Sequence, residues 1–417
     1  MTHSPWTFVV AVMITGFLVV AQIYAVLPML GTLAVDLGIT ETQADLIPAA
    51  FGLAYAIGFL VFGPLADKVD RMTLLIAGLV ALAGTTALVA AAEGYAALVA
   101  ARMVQGLAAA SFPATALALV SQRVPRPDQP MAIAMMGFAF LSSAPLSQLL
   151  VAAFDVPLDR LMWGMAALYL ICACGVLGSG AVGPRPADVA AEHPTPATGG
   201  AAGGAAGGAA GRAMPPLAAC VLAPLVVLFC LVSFHTLCQM LAAPGSGAEG
   251  MIDPQMLRLA GFPPLLLCFI APRLTKAYGP AVTACSGLAV TAAGLIVALV
   301  TSGGAASIAG WPAWVPAGGL VLASVVVSAG VALAVPGLIA AVTFWSGNAM
   351  RARALATYTF FLFIGASIAP LVAGAVYRAD PAMAFAVPTI AALIACTLLL
   401  RARPESDPVK AAARPLP

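Results

Sequence analysis

The feature that most constrains this chain is a series of twelve apolar runs of about twenty residues, separated by charges, Gly/Pro turns or polar breaks. A helix needs about 20 apolar residues to cross the hydrocarbon core of a bilayer. Such runs exclude a disordered chain and the alternating pattern of an outer-membrane barrel. Only 8% of the residues are charged, against roughly 25% in a soluble domain. We therefore predict an all-α integral membrane protein.

The twelve predicted membrane-spanning segments, called spans 1 to 12 below, fall into two sets of six. The first set lies at residues 7–34, 44–65, 73–92, 95–121, 131–153 and 161–183, and the second at 216–242, 255–272, 281–301, 315–344, 354–377 and 382–400.

The segment between the two sets contains the run GGAAGGAAGGAAG, whose composition forms a flexible tether and cannot bury a core. Pro64 and Lys68 match Pro272 and Lys276 at one offset, which indicates an internal repeat. We therefore predict two pseudo-symmetric six-helix bundles. They are residues 1–183 and 216–417, joined by a cytoplasmic Gly/Ala/Pro-rich linker at 184–215, and the second ends in a short cytoplasmic tail.

Basic residues concentrate on one side of the predicted spans. Of the 18 Lys and Arg residues, only Arg160, Arg258 and Arg378 fall in outer segments, and Arg102 falls within a span. The positive-inside rule then predicts that both termini lie in the cytoplasm of a bacterial-type inner (plasma) membrane. The first apolar run follows no Lys or Arg and is too long for a signal peptide, so we predict that it is span 1.

Composition also excludes several kinds of partner. A net charge of +2 provides no basic face, so we expect no nucleic-acid partner. The eight cysteines lie inside apolar runs without a C-x-x-C pair, so we expect them to be packing residues and predict no metal site and no cofactor. The chain contains no ATP-binding loop, no metalloprotease motif and no pair of buried carboxylates, so we do not expect an enzyme.

The loop after span 2 reads Gly63-Pro-Leu-Ala-Asp67-Lys68-Val-Asp70-Arg71-Met. It resembles the loop signature of the major facilitator superfamily, G-x-L-A-D-R/K-x-G-R-R/K, except that Asp70 replaces the second glycine and methionine replaces the last basic residue. Asp67 stands where it can accept hydrogen bonds from the next helix. The resemblance implies a conformational latch formed by Gly63, Asp67, Lys68 and Arg71.

Span 4 carries a second motif. The segment Arg102-Met-Val-Gln105-Gly106-Leu-Ala-Ala109 resembles the family pattern R-x-x-Q-G-x-x-x-A. The resemblance implies that Arg102, Gln105 and Gly106 take part in proton coupling. An arginine inside the membrane is costly and marks a functional site, although an arginine that extends toward the interface remains an alternative.

Span 5 is where the drug/metabolite-proton antiporter group carries G-P-x-x-G-G. This chain has Ala144-Pro145-Leu146-Ser147-Gln148-Leu149, which keeps only the proline. The overall resemblance to this efflux group is therefore incomplete in its most diagnostic segment.

Polar side chains inside the spans are candidates for lining a substrate cavity. His235 and Gln239 share one face of span 7. Gln22 and Tyr24 point about 200° apart on span 1, so both cannot face the same place, and we favour Gln22. The weaker candidates Ser147, Gln148 and Tyr358 could equally join helices together.

Acidic residues are absent from the middle of every predicted span, and the nearest are Asp36 and Asp45 at outer ends. A strongly cationic substrate is therefore disfavoured, because its desolvation would not be offset. Proton coupling would have to use Asp45 paired with Arg102, or His235.

The most favoured function is a secondary transporter that moves a small neutral, zwitterionic or anionic drug or metabolite by alternating access. We expect proton-coupled efflux by a monomer that has a small-molecule substrate, protons and membrane lipid as partners. The alternatives are an uptake permease or facilitator for a small polar nutrient and, more remotely, a non-transporting membrane sensor or scaffold.

Overall fold

The computed structural model describes residues 5–66, 68–125, 128–154, 156–180, 214–243, 253–302, 311–312 and 314–401, and all regular elements in these ranges are helices. Asp67 and residues 184–213 of the predicted linker lie outside the described residues.

The first six spans begin and end close to the predicted positions. Their helices are Pro5–Tyr24 and Leu30–Leu37 in span 1, Glu41–Leu65 in span 2, Arg71–Ala90 in span 3, Tyr95–Ala109 and Ser111–Arg123 in span 4, Gln129–Phe154 in span 5 and Leu158–Gly180 in span 6. Those of the last six are Met214–Ala242 in span 7, Pro254–Gly261 and Ala271–Tyr278 in span 8, Pro280–Ser302 in span 9, Trp314–Trp345 in span 10, Gly347–Ala379 in span 11 and Ala386–Arg401 in span 12.

The predicted all-helical membrane fold is confirmed. Within the described ranges, eleven helices are long and apolar enough to cross a membrane, and span 8 supplies the twelfth as a pair of segments bent by 47°. The bend follows a 3-10 helix, Pro263–Phe269, that starts with two prolines. Proline lacks an N–H group and disrupts the preceding turn, so the sequence of span 8 cannot form one straight α-helix.

Glycines set the closest approaches between helices. In the first half, a Cβ atom on Gly106 of span 4 would lie 3.1 Å from Cα and 3.0 Å from the carbonyl carbon of Phe51 in span 2, and nearer still to its carbonyl oxygen. In the second half, spans 9 and 10 pack backbone against backbone, because a Cβ on Gly337 would lie 2.7 Å from the backbone nitrogen of Ala284. Gly287, Gly294 and Gly330 make similar approaches along the same pair of spans.

We call the end that carries Lys68, Arg71, Arg123, Arg273 and Lys276 the basic end, and the other the opposite end. The two halves meet at the basic end, where a Cβ on Gly63 of span 2 would be 2.5 Å from the Cβ of Ala356 in span 11.

Further toward the centre, spans 2 and 11 join through an aromatic cluster formed by Tyr55, Phe59 and Phe363. The ring of Phe363 lies 4.7 Å from that of Tyr55, edge to face, and 5.5 Å from that of Phe59. The centroid of Phe138 in span 5 lies 5.3 Å from that of Phe269 in span 8. The halves are therefore in contact from the basic end to the centre.

Candidate functional site

At the opposite end the two halves separate around a cavity of about 1080 Å³, called the opposite-end cavity below. Its wall is formed by the ends of spans 1, 3, 4, 5 and 6 of the first half and of spans 7 and 8 of the second. The polar side chains that line it are Thr32, Asp36, Asp159, Gln239, Asp253, Gln255 and Arg258. A cavity of this size accommodates a small organic molecule.

A small, mostly apolar cavity of about 50 Å³ lies in the middle of the protein and is lined by both halves. Tyr24 of span 1, Tyr358 of span 11 and Phe363 line it. The Tyr358 hydroxyl donates a hydrogen bond of 3.5 Å to the carbonyl of Val335 in span 10. Between this cavity and the basic end, spans 2 and 11 are in contact through the aromatic cluster and at Gly63.

A third cavity, about 150 Å³, lies between spans 1 and 2 of the first half and spans 7 and 11 of the second. Tyr24 also contributes to this lateral cavity. Asp45 and Arg378 line it from opposite halves, which places opposite charges on the two sides of the interface. Asp45 thus lines the same cavity as Arg378.

Arg102 lies inside the first half, fully buried. Its Nη1 donates a 2.6 Å hydrogen bond to Oε1 of Gln105, and its Nη2 donates a 2.9 Å bond to the backbone carbonyl of Gln22. The guanidinium carbon stands 4.4 Å from the ring centre of Phe51, a cation–π contact. Gln105 in turn donates to the Thr86 hydroxyl at 2.9 Å. These contacts tie spans 1, 2, 3 and 4 together, and the structure does not bring Arg102 and Asp45 together.

Several buried polar atoms near Arg102 have no hydrogen-bond partner. They are both side-chain amide atoms of Gln22, the Tyr55 hydroxyl and Nε of Arg102. The Tyr169 hydroxyl is next to Gln22 but donates to the carbonyl of Leu18 at 3.0 Å. Gln22, which we favoured for a substrate cavity, therefore points into the polar interior of the first half.

The loop after span 2 is held by its own backbone and by the next helix. Arg71 donates from Nε to the carbonyl of Ala66 at 3.3 Å, whereas the Lys68 side chain is exposed. The Asp70 carboxylate accepts hydrogen bonds of 2.8 Å from both the backbone N–H and the hydroxyl of Thr73. These bonds lower the pKa of Asp70, and the charge of Arg123 lowers it further. Asp70, which replaces the second glycine of the family loop pattern, thus caps the helix of span 3.

The remaining predicted cavity residues occupy different surroundings. Ser147 and Gln148 are buried and donate to the carbonyl of Ala144 in their own helix. Gln239 lines the opposite-end cavity. His235 is one turn deeper in span 7, half-buried, with its ring centre 5.3 Å from that of Phe234.

Arg258 and Arg378 were not predicted to be site residues, because their positions were assigned to outer segments. Arg258 is only 5% exposed and belongs to the wall of the opposite-end cavity. Its position inside the predicted range of span 8 could have identified it, because a charge within an apolar span is rare unless it has a role.

A model of the Major Facilitator Superfamily matches residues 12–310, more than half of the chain. The chain belongs to this superfamily. It is therefore a membrane-embedded transporter of a small molecule and not an enzyme. Among solved structures, this transporter is similar to the crystal structure of the human organic anion transporter MFSD10 (TETRAN), with a TM-score of 0.68 and 16% sequence identity. The match covers 95% of this transporter and 99% of that chain, and it shows the shared fold. No curated protein matches the sequence.

Proposed function

We propose that this transporter exports a small neutral, zwitterionic or anionic organic molecule by exchanging it for protons. The observation that carries this proposal is the pairing of an open cavity at one end with contact between the halves at the other. Alternating access requires such a structure and its reverse, related by rocking of the halves.

The proposed orientation puts the basic end and both termini in the cytoplasm of a bacterial-type inner membrane, because Lys and Arg concentrate there. The opposite-end cavity then faces outward, as expected of an exporter that is ready to release its cargo. The chain is proposed to act as a monomer in this membrane.

The proposed substrate class follows from the charges around the open cavity. Its acidic lining residues, Asp36, Asp159 and Asp253, are exposed at the mouth, whereas Arg258 is buried. A desolvated cationic substrate would therefore find no buried carboxylate in this wall. The fold shared with an organic anion transporter is in line with this class.

The proposed coupling elements are Arg102, Gln105 and Gly106, with Asp45 and His235 as the groups that could exchange protons. Arg102 links spans 1 and 4 through Gln22 and Gln105, so a change in its hydrogen bonds would move these spans relative to each other. Gly63, Asp67, Lys68 and Arg71 remain the proposed latch, and Gly63 stands at the contact with the second half.

The test is proton flux in proteoliposomes with an imposed pH gradient and a panel of neutral, zwitterionic and anionic compounds. We expect compound-dependent proton movement that Arg102→Gln abolishes and Arg160→Gln, at an exposed arginine, leaves intact. Arg102→Lys, which keeps the charge, should retain part of the flux. Compound movement without protons would instead indicate a facilitator, and accumulation rather than exclusion in cells would indicate uptake.

A further inference from the structure

Arg258 is the one cation among the described residues that line the opposite-end cavity. It is 5% exposed, and its Nε atom is buried without a hydrogen-bond partner. The hydrogen bonds of the described residues include none from its guanidinium. Burying a charge without a partner is costly, whereas pairing it with an anion recovers that cost.

The helix that carries Arg258 directs this side chain away from lipid. Met256 and Leu259 of the same helix are 61% and 59% exposed, while Leu257 and Arg258 are buried. The arginine therefore does not extend along the lipid-facing surface.

Contacts with span 10 fix the helix in place. The Ser324 hydroxyl donates a 2.6 Å hydrogen bond to the carbonyl of Leu257. A Cβ on Gly261 would lie 2.8 Å from the same hydroxyl and 2.7 Å from that of Ser328, so the helix packs closely. The backbone that carries Arg258 is thus held in a defined position.

Span 7 supplies polar groups beside the guanidinium. Gln239 lines the same cavity, and both His235 and Cys238 are close enough to Arg258 to interact with its charge. His235 and Gln239 are four residues apart and share a helix face. Hydrogen-bonding groups therefore converge next to a cation whose charge interacts with that of Asp253 but whose guanidinium donates no hydrogen bond within the part of the chain that the structure describes.

The carboxylates of the cavity are arranged differently. Asp36, Asp159 and Asp253 are exposed, so solvent screens their charges. Asp253 also accepts a 2.8 Å hydrogen bond from the backbone of Gln255 as the cap of the Arg258 helix. A ligand would meet negative charge at the mouth and positive charge in the wall.

We propose that Arg258 binds a single carboxylate of the transported molecule, with Gln239 as a neighbouring hydrogen-bonding group. This inference rests on the transport function proposed above and narrows its substrate class to small organic acids that carry one carboxylate. The rest of the ligand is neutral or, toward the mouth, cationic. The planar guanidinium suits a carboxylate through two parallel hydrogen bonds. Among the described residues that line the cavity, Arg258 is the one cation, so this wall neutralises one carboxylate.

The first experiment measures the local charge without requiring a known ligand. Gln239→Cys is treated with methanethiosulfonate reagents of similar size, one a sulfonate and one a quaternary ammonium, with the parent chain as background. Arg258→Gln should lower the ratio of the sulfonate rate to the ammonium rate at least about five-fold, because a neighbouring positive charge favours the anion. Arg160→Gln is the matched control and should leave the ratio unchanged. An unchanged ratio in Arg258→Gln, or an equal drop in both variants, would overturn the proposal.

The second experiment measures binding by the purified full chain to benzoate, 2-naphthoate and hexanoate, each compared with its neutral amide. We expect at least one carboxylate to bind about tenfold more tightly than its amide, as a charge-assisted pair would give. Arg258→Gln should remove this preference. Arg258→Lys should keep the reagent ratio of the first experiment but lose most of the preference, because lysine provides a charge without the planar pair of donors.

Equal binding of acids and amides, or an undiminished preference in Arg258→Gln, would overturn this inference alone, since transport of another solute class could continue. Carboxylate binding that depends on Arg258 in a chain that moves no compound would overturn the proposed function alone.

Discussion

Replacing Gln105 with leucine tests whether the Arg102 contacts hold the first half together. The variant removes the 2.6 Å hydrogen bond from the guanidinium to Gln105 and the 2.9 Å bond from Gln105 to Thr86. A hydrogen bond to a charged group contributes about 1.5–3 kcal/mol and a neutral one about 0.5–1.5 kcal/mol. Thr86 keeps its own 2.6 Å hydrogen bond to the carbonyl of Leu82. The free energy lost with the Gln105–Thr86 bond therefore lies at the low end of the range for a neutral bond. We expect the free energy of unfolding to drop by about 2–4 kcal/mol.

The measurement is denaturant-induced unfolding of the purified protein in detergent, with Thr86→Val as a control that should cost about 1 kcal/mol. A double-mutant cycle with Arg102→Met isolates the interaction between Arg102 and Gln105. The free energy of unfolding of the double variant should fall by about 1.5–3 kcal/mol less than the sum of the two single losses. If the loss in the double variant equals the sum of the single losses to within about 0.5 kcal/mol, the two residues are energetically independent and the proposed interaction is refuted.

Two further predictions concern the basic end. Gly63→Val should separate spans 2 and 11, because even a Cβ at this position would contact Ala356. Spin labels at positions 68 and 276 should then report a longer distance. The control Gly84→Val, at a position with open space, should leave this distance unchanged. Asp70→Asn should keep the cap of span 3 but remove a carboxylate whose pKa is lowered in the fold. The stabilisation from this carboxylate is present above its unfolded pKa of about 3.9, and it is lost as the pH falls through the lower folded pKa. The melting temperature of the wild type should therefore decrease more steeply below about pH 4 than that of the variant, and identical slopes would contradict this assignment.

The spans could be predicted because the length of an apolar run is a local property of the sequence. Span 8 shows the limit of that approach: its run was found, but the break that follows Pro263 and Pro264 within the run was not predicted. The cap by Asp70 was missed because the family pattern drew attention to Asp67.

The candidate site was harder to predict, because the direction of a side chain depends on partners far away in sequence. Gln22 and Arg102 are 80 residues apart, and only the folded bundle shows that their contact belongs to the interior of the first half. Arg258 was counted as an outer charge, since sequence alone does not show which face of a short helix meets lipid. His235 and Gln239 were identified by spacing along one helix, and Gln239 lines the opposite-end cavity.

The close packing of spans 9 and 10 limits which substitutions this protein can accept during evolution. Every missense change at a glycine codon adds at least one carbon atom, and at Gly287, Gly294, Gly330 and Gly337 that atom would meet a neighbouring backbone or a β-branched side chain. Selection should therefore remove substitutions there regardless of their polarity. A saturation mutagenesis map should show four positions with no accepted residue, in contrast to Gly84, where added atoms meet open space.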